Sequence, residues 1–542
     1  MSTYWYGEGD AKERFQFWLD HPPSAIAIDL ETISLKERHP IGMAVAFSPY
    51  EAIYFQLHPQ LPRELELIKP LLQDIRITKI AHNWMFDMGV IPLIPLPLNI
   101  DRCNIFDTNV AARLLGYIET SLHILAPEVG VMATPVDAML GPKQTMLDLD
   151  PMEVAKKCQN DAKVAYRLYL EWKDKIADRF GEYFLTEMAV IPILLDLSLR
   201  GLSIDQGARG KLEVELQQDV DFYSKVVKDY GITNPGSNQQ IGYMLAKRGN
   251  FLPLTRSKKH LSTRVEELEF LDDPMAAAVL GYRKKSKFLN TYVIPIRDDD
   301  RFYTEYYLDT LVGRLNSRNR NIQNIPPEAR YMFLPDKGLF TTMDYAQEHL
   351  YILMHMSGDS QMRKVYEEGM YDGDIHQFTA DQMRISRRLA KTLNYAIIYG
   401  ATIKTISEAA KIKDRHRCGR LLDGWFETFR EAAGWIKAIQ NEGIRKGWAE
   451  PTLFGRQIRL PDESEDAQRR KAVNYPILGS DGEIIKRAII LCNRRGLGPP
   501  TMAITVHDSI TFDGDVEPPA QELEMIPGFR IPIDIKKTFT WE

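Results

Sequence analysis

RRLAKTLNYAIIYG (387–400) spaces Arg387, Lys391, Tyr395 and Tyr399 four residues apart, so a helix there carries two cations and then two aromatics down one broad face. Taken alone, that spacing also fits core tyrosines with surface cations. Its neighbours change the weighing. Upstream, TTMDYAQEHLYILMHMSGD (341–359) puts Asp344 where an apolar strand hands over to a helix, and downstream, AITVHDSITFD (503–513) puts Asp508 in the middle of a strand-turn-strand. The first kind of aspartate is often only a helix cap, and the second only a turn former. Two carboxylates flanking a helix of cations and aromatics form a nucleotide platform, with cations for a triphosphate and an aromatic face for sugar and base.

At 542 residues, 44% of them hydrophobic, the chain exceeds what one core supports, and at least two domains are expected. The first 175 or so residues alternate strand-like runs (25–30, 41–47, 52–55) with helix-length segments (63–72, 107–115, 151–172), which reads as an α/β domain. From Glu182 onward the pattern is of long helices, with turn signals at Arg200-Gly201 and Asn234-Pro235-Gly236. The opening residues lack a signal-peptide core, and the longest apolar stretch (189–199) is broken by Pro192 and Asp196, so a soluble, unexported, cytoplasmic chain is expected. Four scattered cysteines without a CxxC pair argue against a disulfide framework or a zinc site. A net charge of −6 does not advertise a nucleic-acid binder, yet basic clusters recur at 256–260, 283–287, 314–330, 384–391, 411–420 and 469–471.

Asp344 in DYAQ, the RRxAKxxNYxxxYG helix and His507-Asp508 resemble, in order and spacing, the three polymerase motifs of the DNA polymerase I family, family A. Flanking segments agree: GRLNSRNRNIQNIPPEAR (313–330), GDIHQFTA (373–380), RRKAVNYPILGSDGEIIKRA (469–488) and YRKKSKFLNTYV (282–293) are each similar to a family segment. The resemblance implies an α+β right-hand polymerase domain over 176–542, with a thumb at about 180–295, a palm at about 296–350 and 455–542, and fingers at about 351–454. It implies primer-template DNA and dNTPs as partners, a monomer, and two Mg2+ ions per active site, replaceable by Mn2+, held by Asp344, Asp508 and the Tyr345 backbone carbonyl. Arg387 and Lys391, with His376 and Arg330 behind them, are expected to meet the incoming triphosphate; Arg314, Gln323, Asn324, Arg470, Asn474 and His507 are expected to meet the primer-template. Three positions depart from the family pattern. His349, preceded by Glu348, stands where the family has a glutamate as steric gate against a ribose 2′-hydroxyl; Leu478 replaces a minor-groove glutamine; Ser509 replaces the glutamate after Asp508.

AIAIDLET (25–32) carries Asp29 and Glu31, which strand alternation projects to one side, where two adjacent acids repel unless a cation lies between them. With Asp87 in AHNWMFDMG and Asp161 in CQNDAKVAYRLY, they resemble the DEDD set of the family's 3′ to 5′ proofreading domain, an RNase H-like α/β fold with a mixed sheet, here over 1–175. The same resemblance implies that Asp29, Glu31 and Asp161 hold metal. Lys157 and Lys156 occupy the positions where the family or its cousins place a water-orienting tyrosine or histidine. With no 5′ nuclease segment ahead of this domain, the expectation is a compact, phage-type replication enzyme acting in the host cytoplasm. A single-subunit RNA polymerase would share the two aspartates and the motif tyrosine but lacks a DEDD domain. A catalytically dead clamp is disfavoured by the retained Asp344, Asp508, Arg387 and Lys391.

Overall fold

The computed structural model describes residues 3–5, 9–34, 37–59, 61–96, 98, 100–255, 257, 259–400, 402–412 and 414–541. Arg256 and Lys258 of the first basic cluster and Lys413 of the fifth lie outside them. The chain forms two compact units: Met1–Ser198 with Tyr306–Asn316 and Ile439–Gly498, and Leu199–Glu305 with Ser317–Ala438 and Pro499–Glu542.

The first unit is built on a six-stranded mixed sheet of order β1-β4-β3-β2-β5-β6, with β1 Thr3–Trp5, β2 Ala25–Thr32, β3 Pro40–Ala46, β4 Ala52–Gln56, β5 Thr78–Ala81 and β6 Ile105–Asp107. The α/β reading and the mixed sheet hold. β2 runs antiparallel to β3 and parallel to β5, and it is buried along nearly its whole length. Such a strand reads as a continuous apolar run, and in AIAIDLET the two acids and the terminal Thr32 break that run. Across from Glu31 sits Gly42, where a Cβ would lie 2.0 Å from the Tyr54 hydroxyl; only glycine lets that ring pack here.

A 50-residue helix, Pro151–Arg200, closes over this sheet. Pro151 suits a first turn that needs no donor, and Asp150 accepts from the Met152 amide at 3.0 Å. It ends where Gly201 takes φ +62, close against the Phe302 carbonyl. The 63–72 segment is less regular than its pattern predicts: a 3-10 stretch, Arg63–Ile68, gives way to a short helix, Lys69–Gln73, because Pro70 offers no amide to continue the first turn. Farther along, the helix Glu465–Cys492 packs its Lys486 and Glu483 into a buried network. Lys486 donates to Glu187 at 2.5 Å, Tyr183 donates to the same oxygen at 2.6 Å, and Arg456 donates to Tyr183 at 3.1 Å. A buried charge needs partners of this kind.

The second unit centres on a four-stranded antiparallel sheet of order β8-β9-β7-β10, with β7 Phe340–Tyr345, β8 Met502–Val506, β9 Ser509–Asp513 and β10 Ile533–Thr538. The same unit holds helices whose starts are capped by side chains: Asp205, Ser237, Asp273, Asp374, Ser386, Thr402 and Asp414 each accept from an amide of the first turn. Helices Gln206–Asp229, Asn238–Lys247 and Pro274–Phe288 share a core of Val227, Ile241, Leu245, Met275 and Val279. Among the described residues no helix is long and apolar enough to cross a membrane. The four cysteines are unbridged.

Candidate active sites

In the second unit Asp344 sits at the end of β7, and its cross-strand neighbours are Ser509 on β9 and Asp534 on β10. Residues paired directly across antiparallel strands share a face, and the Thr342 and Thr511 hydroxyls, 2.9 Å apart, show the same face two residues back. Asp508 lies in the turn between β8 and β9, where the Tyr345 amide donates to its carbonyl at 3.2 Å and the preceding His507 adopts φ +55. Partial burial, then Asp508, then Asp534 push the Asp344 carboxyl up to about 7, against Lys536 and Arg330. Like charges crowded on oxygen donors are what a hard divalent cation relieves, so Asp344 and Asp508 fit such an ion. Asp534 was not foreseen from the sequence. Its signal was the alternating tract IPIDIKKT (531–538), which marks an edge strand but not which strand it joins.

The helix Arg387–Ile398 is capped by Ser386, and Tyr399 follows as its C-terminal cap. Arg387, Lys391 and Tyr399 are exposed and Tyr395 half-buried, while Leu393, Asn394, Ile397 and Ile398 face the core. Asp508 and Asp344 both raise Tyr395's pKa after burial, so its ring stands near the acids. Arg387 donates its Nε to Asp374 at 2.8 Å. His376 is set apart from the exposed face. It is buried, Asn394 Nδ2 lies 3.0 Å from its Nδ1, and burial lowers its pKa to about 4, leaving a neutral ring. Arg330 faces Asp344 and lies 4.6 Å from the centre of the Trp541 ring.

Gln347, at φ +53, turns the chain between β7 and the helix Glu348–Ser357. A non-glycine residue held in the left-handed region stores strain that the surrounding fold must outweigh. The turn sends Glu348 into the interior, 2% exposed, and brings His349 Nδ1 to 3.1 Å from the Tyr399 hydroxyl, the rings edge-on at 5.9 Å. Of the residues expected at the primer-template, Gln323, Asn324 and His507 belong to this unit, and Arg314, Arg470 and Asn474 to the other. Arg314 pairs with the buried Asp481 at 2.5 Å, and Asn474 keeps a buried Oδ1 without a partner.

In the first unit β2 and the long helix bring Asp29, Glu31 and Asp161 together. Burial raises the pKa of each, most of all Asp29, with Lys157 opposing. Lys157 donates to Glu31 at 2.6 Å and to Asp161 at 2.8 Å. Burial works against its ammonium, but Glu31, Asp161 and Asp29 outweigh it and hold the group well above its usual range. Asp29 Oδ2 and Asp161 Oδ1 remain buried without a hydrogen-bond partner, so the acids have oxygen lone pairs left for a metal ion. Among the described residues, Asp29, Glu31 and Cys158 could also converge on one ion.

Asp87 is buried in the helix Trp84–Val90, its carboxyl raised first by burial and then by Asp107. Asp107 is a second residue that sequence reasoning passed over. It caps the helix Thr108–Leu114 through the Asn109 and Val110 amides and also accepts from Asn83 at 3.1 Å and Trp84 at 2.7 Å, tying down the start of Asp87's helix. FDTNV carried the cap signal, but the link to Asn83 is tertiary.

Residues 208–526 match the family described as DNA polymerase family A, and residues 8–177 match the one described as 3′-5′ exonuclease. DNA polymerase I of Chloroflexus aurantiacus is 29% identical over 92% of this chain and 58% of its own length, and that of Pseudomonas aeruginosa 25% over 92% and 60%. The thermostable DNA polymerase I of Thermus aquaticus is 28% identical over 62% of the chain and 44% of its own length. The chain thus spans between about two fifths and three fifths of these relatives. A solved structure titled as the POL domain of Pol1 from M. smegmatis, in complex with DNA primer-template and dNTP, superposes with a TM-score of 0.78 at 20% identity, covering 97% of both chains; at that identity it speaks for the fold. With more than half its length in the polymerase match and an exonuclease domain ahead of it, the chain belongs to DNA polymerase family A.

Proposed function

We propose that this chain is a template-directed DNA polymerase that adds dNTPs to a primer 3′ end by two-metal phosphoryl transfer, and that its N-terminal domain removes mispaired 3′ ends. One observation carries the reading: Asp344, Asp508 and Asp534 gather at one end of a sheet, close enough for Asp344 and Asp508 to act on the half-buried Tyr395 of a helix that exposes Arg387 and Lys391 and is capped by the exposed Tyr399.

Asp344, Asp508 and the Tyr345 carbonyl would hold two divalent ions, Mg2+ or the similarly oxygen-seeking Mn2+, whose chemistry when bound would be to lower the pKa of the primer 3′-hydroxyl and to offset charge on the leaving pyrophosphate. Lys391 and Arg387 take the triphosphate, and Arg387 exchanges its contact with Asp374 for phosphate oxygens. Tyr395 supplies an apolar face for sugar and base. His349, held by Tyr399, fills the space a ribose 2′-hydroxyl would need. Asp29, Glu31, Asp87 and Asp161 form the hydrolytic centre. The chain works as a monomer on primer-template DNA in the cytoplasm, in the replication of phage DNA.

Primer extension tests the reading. Wild type should extend a primed template with dNTPs and not with NTPs, and Asp344→Asn or Asp508→Asn should lose extension by at least about 10³-fold while keeping primer-template affinity, which rests on phosphate contacts. Extension by both mutants at wild-type rate would overturn the assignment of these acids. Equal use of NTPs would favour an RNA polymerase.

A further inference from the structure

In the hydrolytic centre a side chain already sits among the acids. Lys157 lies one helical turn before Asp161, and its Nζ bridges Asp161 Oδ2 and Glu31 Oε1 at 2.8 and 2.6 Å, with only a tenth of the side chain exposed. The carboxylates it touches come from different elements, a strand and a helix, so it also fastens the centre together. It does not satisfy all of them: Asp29 Oδ2 and Asp161 Oδ1 stay buried without a hydrogen-bond partner, and Asp161 is 7% exposed. An ammonium placed there does part of a metal ion's work, neutralising charge and orienting oxygens, but it cannot polarise a water as a divalent ion does.

We propose that Lys157 is a built-in counter-ion of this centre, which a divalent metal must displace from Glu31 and Asp161 in order to bind. The proposal rests on the exonuclease reading of the centre. Its consequence is a hydrolytic centre that loads metal less tightly than its acids allow and that keeps its geometry when no metal is present. Exonuclease action then needs a higher metal concentration than its acids alone would require.

The test uses the full chain with Asp344→Asn and Asp508→Asn as parent, so that Mn2+ binding followed by paramagnetic resonance reports the hydrolytic centre. Lys157→Met removes the charge and keeps much of the length; Lys157→Arg keeps the charge. Lys157→Met should bind Mn2+ at least about ten-fold more tightly than the parent and melt at lower temperature without metal, recovering on Mn2+ addition, while Lys157→Arg should bind no more tightly than the parent. Binding by Lys157→Met that is equal to or weaker than the parent's overturns the proposal. A parent that binds no more Mn2+ than a further variant with Asp29→Asn and Glu31→Gln overturns the metal centre itself. A measurement on the unsubstituted chain guards against misfolded variants: saturating Mn2+ should increase reductive methylation of Lys157 several-fold, read by mass spectrometry. Protection of Lys157 by Mn2+ would show that the lysine stays in place beside the ion and would also overturn the proposal.

Discussion

At the scale of single residues, the carboxyl of Asp344 is the group whose charge is most informative. Its pKa of about 7 in the folded chain lies above the ordinary carboxylate value, because of partial burial and of Asp508 and Asp534. The folded chain therefore binds an extra proton between about pH 4 and pH 7, and this group's contribution to stability is present at low pH and lost as pH rises through 7. In EDTA, wild type should lose melting temperature relative to Asp344→Asn between pH 5 and pH 8, and Asp534→Asn should shrink that difference by bringing Asp344's pKa down. An unchanged difference in Asp534→Asn would mean that the third acid does not act on the first. Sugar choice belongs to this scale as well. His349→Ala should admit ribonucleotides, raising their incorporation relative to dNTPs by at least about ten-fold, the effect of one lost contact, whereas Glu348→Ala should lower stability without relaxing selection, because Glu348 is buried. Single-turnover incorporation separates the two; relaxed selection in Glu348→Ala alone would reverse the assignment.

Secondary-structure elements transmit these placements. The start of the helix carrying Asp87 is held by Asp107, which takes four amide donors from two segments. Asp107→Ala should cost about 2 kcal/mol, more than a surface cap, since buried amides lose their partner. Denaturant unfolding would register it, and single-stranded 3′-end degradation should fall as Asp87 shifts. A cost within error would show that water replaces the carboxylate. Gln347 works the same way at the other site: its left-handed turn decides which of two adjacent residues meets Tyr399.

For the whole molecule, the two acidic centres belong to different compact units, so each should fail alone. Asp29→Ala combined with Glu31→Ala should abolish degradation of 3′ ends and leave the rate of primer extension within about two-fold, as expected for sites that share no partners. A matched loss of extension would show the centres to be coupled. A wild type without degradation at any Mn2+ concentration would remove the proofreading function.

Local signals in the sequence suffice for the α/β first domain and the helical second half, and they point to Asp344, Asp508, Asp29 and Glu31 as candidate acids. AIAIDLET alternates along one strand, RRLAKTLNYAIIYG repeats along one helix, and Asp, Ser and Thr stand at the helix starts they cap. Tertiary contacts set Asp534 opposite Asp344, bury His376 as a neutral ring, bring His349 rather than Glu348 to Tyr399, and place Lys157 between Glu31 and Asp161. Each of these depends on strand register, a left-handed turn or burial. Such properties arise from contacts between segments as much as 190 residues apart, and no local pattern of side chains encodes them.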